Sequence, residues 1–139
     1  MARVRLYEIC GYRSGDKGDI ANIALFADDD AVYDVIVRQV TADRVRAHFA
    51  GMVRGEVLRY EVPNVLALNF VLHGALGGGG PSSLRSDTLG KTLGGALVRL
   101  EIEAPDALAS RRALRPDVGW AAEILARLPR ASPTSRSRA

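Results

Sequence analysis

Polar and apolar residues alternate with period two over Arg3-Val-Arg-Leu-Tyr-Glu-Ile9, the pattern of a half-buried strand. Cys10 to Asp19 is polar and carries glycines, which predicts a loop. Ile20 to Phe26 is short, apolar and partly β-branched, and is expected as a second strand antiparallel to the first. Asp28-Asp29-Asp30 offers an N-cap and negative charge at a helix start, and Val32, Val35 and Ile36 follow at helical spacing. Thr41 caps a second helical stretch with Val45, His48, Phe49 and Met52 on one face; Gly51 and Gly55 bracket its end. Glu56 to Val62 returns to strand alternation and Pro63-Asn64 closes it. Val65 to Leu76 reads as a short buried helix and Gly77 to Ser83 as a loop. A short helix is expected over Asp87 to Gly95 and a last strand over Ala96 to Ile102, ended by Pro105. Trp120, Ile124 and Leu128, spaced i, i+4, i+8, predict one more amphipathic helix. Four strands interleaved with helices predict an α+β sandwich: a four-stranded, mainly antiparallel sheet with helices on one face.

The chain has 139 residues, 47% apolar and 25% charged, which suits one soluble domain with a real core. Apolar runs stop far short of the ~18–20 residues of a membrane span. Met1 leads straight into the first strand pattern, so no secretory signal is expected. A single cysteine, Cys10, excludes an internal disulfide and a multi-thiolate zinc site, and a reducing cytoplasm is the expected compartment. Charge is uneven. Residues 1–103 hold 12 basic and 13 acidic side chains, residues 104–139 seven and three. The expected organisation is therefore a domain over 1–105, a helical extension over 106–129 and a disordered basic tail over 130–139. Such a tail can touch nucleic acid, but few aromatic residues accompany it. It reads as a solubilising segment, and neither nucleic acid nor a membrane is expected as a partner.

Two segments are dense in chemistry. In Arg13-Ser14-Gly15-Asp16-Lys17-Gly18-Asp19, followed by Asn22, glycines let backbone N–H groups converge on an anion, and Arg13 and Lys17 add positive charge. Asp16 and Asp19 can orient those cations or transfer protons. The structural alternative is a salt-bridged turn. In His73-Gly-Ala-Leu-Gly77-Gly78-Gly79-Gly80 the glycine run fits a close approach by a ligand or another backbone, or a moving lid, against a plain flexible connector. His73 is either a general base or a buried ring bonded to a carbonyl.

Other matches fail. Gly90-Lys91-Thr92 ends like a P-loop, but Arg85 stands where the first glycine is needed. The tetraglycine lacks the βαβ setting of a dinucleotide site. His48 and His73 are the only histidines and have no paired metal spacing. No metal and no cofactor are expected, and Cys10 reads as a packing residue.

Ser14-Gly-Asp-Lys-Gly-Asp19 with Asn22-Ile23, Tyr60-Glu-Val-Pro-Asn64, the block Ala67 to Gly80 containing Leu-Asn-Phe, His73 and the four glycines, and Gly90-Lys-Thr-Leu-Gly94 together resemble the C-terminal, ferredoxin-like domain of the AtuA-like (acyclic terpene utilisation) family, from about residue 3 to residue 105. The resemblance implies a ferredoxin-like fold and an acyl-CoA or organic-acid substrate, with hydratase or lyase chemistry in terpene catabolism. It also implies a small subunit working beside a separately encoded large AtuA-type subunit, in a homo- or hetero-oligomer. On that reading His73, Asp16 and Asp19 are the proton-transfer candidates. Arg13, Ser14, Gly15, Lys17, Gly18, Asn22, Gly78, Gly79 and Lys91 are the substrate or anion contacts. A non-catalytic structural or oligomerisation module is the alternative.

Overall fold

The computed structural model describes residues 1–110 and 126–127. The basic tail, and the helix expected over 118–128 apart from positions 126 and 127, lie outside the described residues. In chain order the elements are β1 (Ala2–Arg5), a 3-10 turn (Leu6–Glu8), β2 (Cys10–Lys17), β3 (Ile20–Ala27), α1 (Asp30–Gln39), α2 (Ala42–His48), β4 (Val57–Val62), a second 3-10 turn (Pro63–Val65), β5 (Ala67–Leu72), α3 (Leu93–Leu97), β6 (Glu101–Ala104) and α4 (Asp106–Ser110). Strands β2, β3, β5 and β4 form, in that order, a four-stranded antiparallel sheet; β1 and β6 form a separate antiparallel pair. Strands β3 and β4 thus run parallel on either side of β5, joined through α1 and α2. This is a split β-α-β unit, the signature of ferredoxin-like sheets. The edge strand beside β3 is β2, which precedes the unit in the chain.

Both helix starts follow local chemistry. The Asp29 carboxylate accepts from Val32 N at 3.0 Å and the Thr41 hydroxyl from Arg44 N at 3.2 Å, each satisfying a donor of the first turn. Val32, Val35 and Ile36 of α1 and Val45 of α2 are buried together with Ile23, Leu25, Phe70 and Leu72 of the sheet. Each such side chain contributes about 1.5–3 kcal/mol.

Several expectations differ from what is found. The strand expected over Arg3–Ile9 is broken after Arg5, because the Glu8 carboxylate accepts from Arg5 N and closes a 3-10 turn. The loop expected over Cys10–Asp19 is mostly strand β2, joined to β3 by a two-residue turn at Gly18-Asp19, where Gly18 takes φ +61°. Its alternation was masked because Ser14 and Asp16 occupy core-side positions. The helix expected over Val65–Leu76 contains strand β5, with Leu68, Phe70 and Leu72 fully buried and Asn69 and Val71 on the other face; a short apolar run does not reveal its own period. The last helix and strand exist but begin later than expected, at Leu93 and Glu101.

The edge of β6 is closed by side chains. The Gln39 amide accepts from Glu103 N at 2.9 Å and donates to Glu103 O, while Arg44 donates to Gln39 O at 3.0 Å and Glu101 O at 2.8 Å. Such pairing blocks strand addition there.

Candidate functional site

Alternation sorts the first motif onto two faces. In the β2–β3 register, Ser14 pairs with Ile23 and Asp16 with Ala21, both on the side that the helices cover. Gly15 pairs with Asn22, Arg13 with Ala24 and Lys17 with Ile20 on the opposite side. That opposite face is open among the described residues: Phe26 is 39% and Tyr60 51% exposed, whereas Ile23, Leu25 and Phe70 behind them are inaccessible.

Ser14 is 7% exposed and fully used. Its hydroxyl donates to Lys91 O at 2.9 Å and accepts from Gly94 N at 3.1 Å, pinning residues 91–94 to β2. Glycine at 94 makes that contact possible, since a Cβ there would lie 2.6 Å from Cδ2 of Tyr12. The loop before α3 is tied by Asp87, whose carboxylate accepts from Lys91 N, Thr92 N and the Thr92 hydroxyl at 2.9, 2.9 and 2.6 Å. The Thr92 hydroxyl bond first, then the backbone amides of residues 90–92, hold the Asp87 carboxyl below the usual carboxylate range.

Fixed in this way, Lys91 reaches the open face. A Cβ built on Gly15 would lie 3.5 Å from Lys91 Nζ and 3.8 Å from Asn22 Oδ1, so the ammonium rests over the Gly15 backbone. Asn22 donates to Asn69 Oδ1 across to β5. Arg13, Lys17 and Lys91 therefore share one edge of the open face, and none makes an ion pair among the described residues. Five expected contacts, Arg13, Gly15, Lys17, Asn22 and Lys91, are brought together. Asn69 was not expected. Its signal was the alternation of Ala-Leu-Asn-Phe-Val-Leu, legible only once that run is taken as a strand.

The glycine loop meets the hairpin tip. Asp19 Oδ1 accepts from Leu76 N at 3.0 Å and Gly78 N at 2.8 Å, and Asp19 O accepts from Ala75 N at 3.0 Å. Gly77, Gly78 and Gly79 take φ of +61°, +95° and +96°. At Gly79 a Cβ would stand 2.8 Å from Gly18 O, so glycine is required by a close backbone approach. The converging amides form an anion-binding nest, and the anion they hold is the chain's own Asp19. Gly79 N turns inward to Leu76 O at 3.2 Å. The Asp16 side chain is half-buried and makes no hydrogen bond or ion pair among the described residues. His73 lies one position beyond the Ala21–Leu72 pair, at the hairpin-tip end of the sheet. Its backbone bonds Glu56 O and Gly55 N, both at 2.9 Å, and its half-buried imidazole has no hydrogen-bond partner among the described residues.

Elsewhere the chemistry is quiet. Cys10 is 4% exposed, and burial, then the Asp28 charge, push its thiol up to about 12, far from a reactive thiolate. A cavity of about 380 Å³ is lined by Arg3, Gln39, Arg44 and Glu101 to Glu103, but Arg3 approaches Glu101 at 3.9 Å and Arg44 is bonded to carbonyls. Among the described residues no group of three His, Cys, Asp or Glu could hold a metal ion, and no helix is long and apolar enough to cross a membrane. The site gathers positive charge and amide groups on one open face. It shows no nucleophile paired with a base.

A search of curated proteins and one of solved structures returned no match. The family model of the AtuA ferredoxin-like domain matches residues 4–103, a span that holds the whole four-stranded sheet, the hairpin and the glycine loop, and the chain belongs to the AtuA ferredoxin-like family.

Proposed function

We propose that the chain is the small subunit of an AtuA-like two-component enzyme acting on an acyl-CoA or organic-acid substrate, with a large AtuA-type subunit as its partner. Its contribution is a positively charged wall that holds the substrate's carboxylate or phosphate. The observation that carries this reading is the gathering of Arg13, Lys17 and the Lys91 ammonium beside the Asn22–Asn69 amide pair, with no ion-pairing carboxylate among the described residues. Unpaired cations beside exposed backbone and amide donors are the equipment for binding an anion. Proton transfer, as in hydration of an unsaturated acyl thioester, falls to His73, whose imidazole is unengaged among the described residues; Asp16 lies on the helix-covered side, away from the cation wall. Asp19 acts through the loop it holds.

A second reading, a non-catalytic structural module, is favoured by Ser14, Asp19 and Asp87, whose side chains all serve internal bonds. Isolating the chain from its native cells and assaying the preparation on an unsaturated acyl-CoA separates the two. The enzyme reading expects a large AtuA-type subunit to co-purify, turnover by the complex alone, and a raised KM for Lys17→Ala with Lys91→Ala while the complex stays intact. Full turnover by the isolated chain refutes the subunit reading. Disassembly in that double variant, with substrate affinity unchanged in what remains assembled, supports the module.

A further inference from the structure

We infer that the apolar half of the open sheet face, built by Phe26, Leu58, Tyr60, Val62 and Val71, is where the chain docks a protein whose own patch is apolar and edged with carboxylates. This deepens the function proposed above and rests on its partner, not on its substrate.

The register sets the layout. Rows run across the sheet from β2 to β4: Gly11, Phe26, Ala67 and Val62; then Arg13, Ala24, Asn69 and Tyr60; then Gly15, Asn22, Val71 and Leu58. Cations lie along the β2 edge, where Lys91 covers Gly15. Apolar groups occupy the β5 and β4 side together with Phe26. No Asp or Glu falls in these rows.

Shape argues for a protein. Small ligands take concave sites that enclose most of their surface, and a sheet face is open. Exposed contiguous apolar groups of this kind mark protein interfaces, and Phe26 and Tyr60 are aromatic anchors of the kind found at their centres.

Area and charge then fix the partner's chemistry. Four strands ~4.8 Å apart, paired over six residues at ~3.4 Å each, give a face of roughly 400 Å². A stable interface covers about 800 Å² on each side. The whole face falls short of that, so a partner seated on its apolar side must cover Arg13 at the β2 edge as well. Covering the Arg13 guanidinium is costly unless a partner carboxylate answers it; Lys17 and Lys91, nearer the hairpin tip, remain for the substrate's anion. A second copy of this chain carries no carboxylate in these rows. Packed face to face about a two-fold axis, it brings cations either onto cations or onto the apolar rows.

Photo-crosslinking in native cells tests the inference, with benzoylphenylalanine placed at position 26 or 60 of the full chain and, as a control, at Asp34 on α1. The expected result is one protein captured from both 26 and 60 but not from 34, through a peptide in which apolar residues flank Asp or Glu. Phe26→Asp and Tyr60→Asp should each weaken the purified complex at least tenfold, and Arg13→Glu should weaken it further as salt is lowered. Capture of only a second copy, only the chain's own residues beyond 110, or nothing overturns it, as does a Phe26→Asp variant of wild-type affinity. Because Lys17→Ala with Lys91→Ala leaves the apolar rows intact, loss of the anion-binding reading alone leaves these crosslinks in place.

Discussion

Replacing Asp19 with alanine removes the acceptor for Leu76 N and Gly78 N, at 3.0 and 2.8 Å. Hydrogen bonds to a charged group contribute about 1.5–3 kcal/mol each when well shielded. Asp19 is half-exposed, and Gly78 N–H, at the surface, regains water. Leu76 N–H sits on a residue that is 1% exposed and regains it less readily. The expected loss is therefore about 2 kcal/mol, most of it from Leu76. Asparagine keeps an acceptor oxygen and loses the charge, so about 1 kcal/mol is expected. The backbone bond from Ala75 N to Asp19 O survives either change, so the loop should loosen locally before the sheet melts. Amide hydrogen exchange at residues 75–79 is the sensitive assay: a 2 kcal/mol loss accelerates exchange roughly 30-fold, since 1.4 kcal/mol is tenfold. Sodium formate, a small carboxylate, should partly restore protection to the alanine variant but not to wild type. Unchanged exchange at Leu76 and Gly78 in the alanine variant, with an unchanged melting temperature, would refute the latch.

Other consequences follow from single contacts. Ser14→Ala strands the buried Gly94 N–H and should cost about 2 kcal/mol in urea unfolding; Gly94→Ala should cost at least ~1 kcal/mol despite its better helix propensity, because its Cβ meets the Tyr12 ring. The Cys10 thiol holds its proton up to about 12 when folded and releases it near 9.0 when unfolded. Stability is intact below the lower value and declines as pH rises through that window, by up to about 4 kcal/mol. Cys10→Ala should flatten that decline, and a thiol reagent should label Cys10 only in denaturant. Asp87 titrates in the opposite sense. Its folded carboxyl is held low, so its contribution is present above its unfolded value near 3.8 and is lost as pH falls through the depressed one; Asp87→Asn should remove that acid-side slope in a melting series.

How much was legible depended on which positions obeyed a period. Helix α1 was readable because Asp29 caps it and Val32, Val35 and Ile36 share a face. Strand β2 was not, because its core-side slots hold Ser14 and Asp16. Only the tertiary partners Lys91 O and Gly94 N, some 77–80 residues away, explain a buried hydroxyl there. The two glycine-bearing segments meet through Asp19 and the amides of residues 76 and 78. That the loop's amides are filled by Asp19 itself was hidden, since a nest looks the same in sequence whatever anion it holds. The cation edge was half legible: Arg13 and Lys17 alternate locally, but Lys91 joins them only because Gly15 leaves room for its ammonium. Asn69 and the apolar rows become legible only once Ala67–Leu72 is taken as a strand.

The most direct test of the cation edge is a nitrogen-15 NMR titration of the chain with coenzyme A at fixed ionic strength. The account predicts saturable shifts confined to Arg13, Gly15, Lys17, Asn22 and Lys91, abolished by Lys17→Ala with Lys91→Ala. Shifts that appear instead around Arg3 and Arg44, with the open face silent, would contradict it.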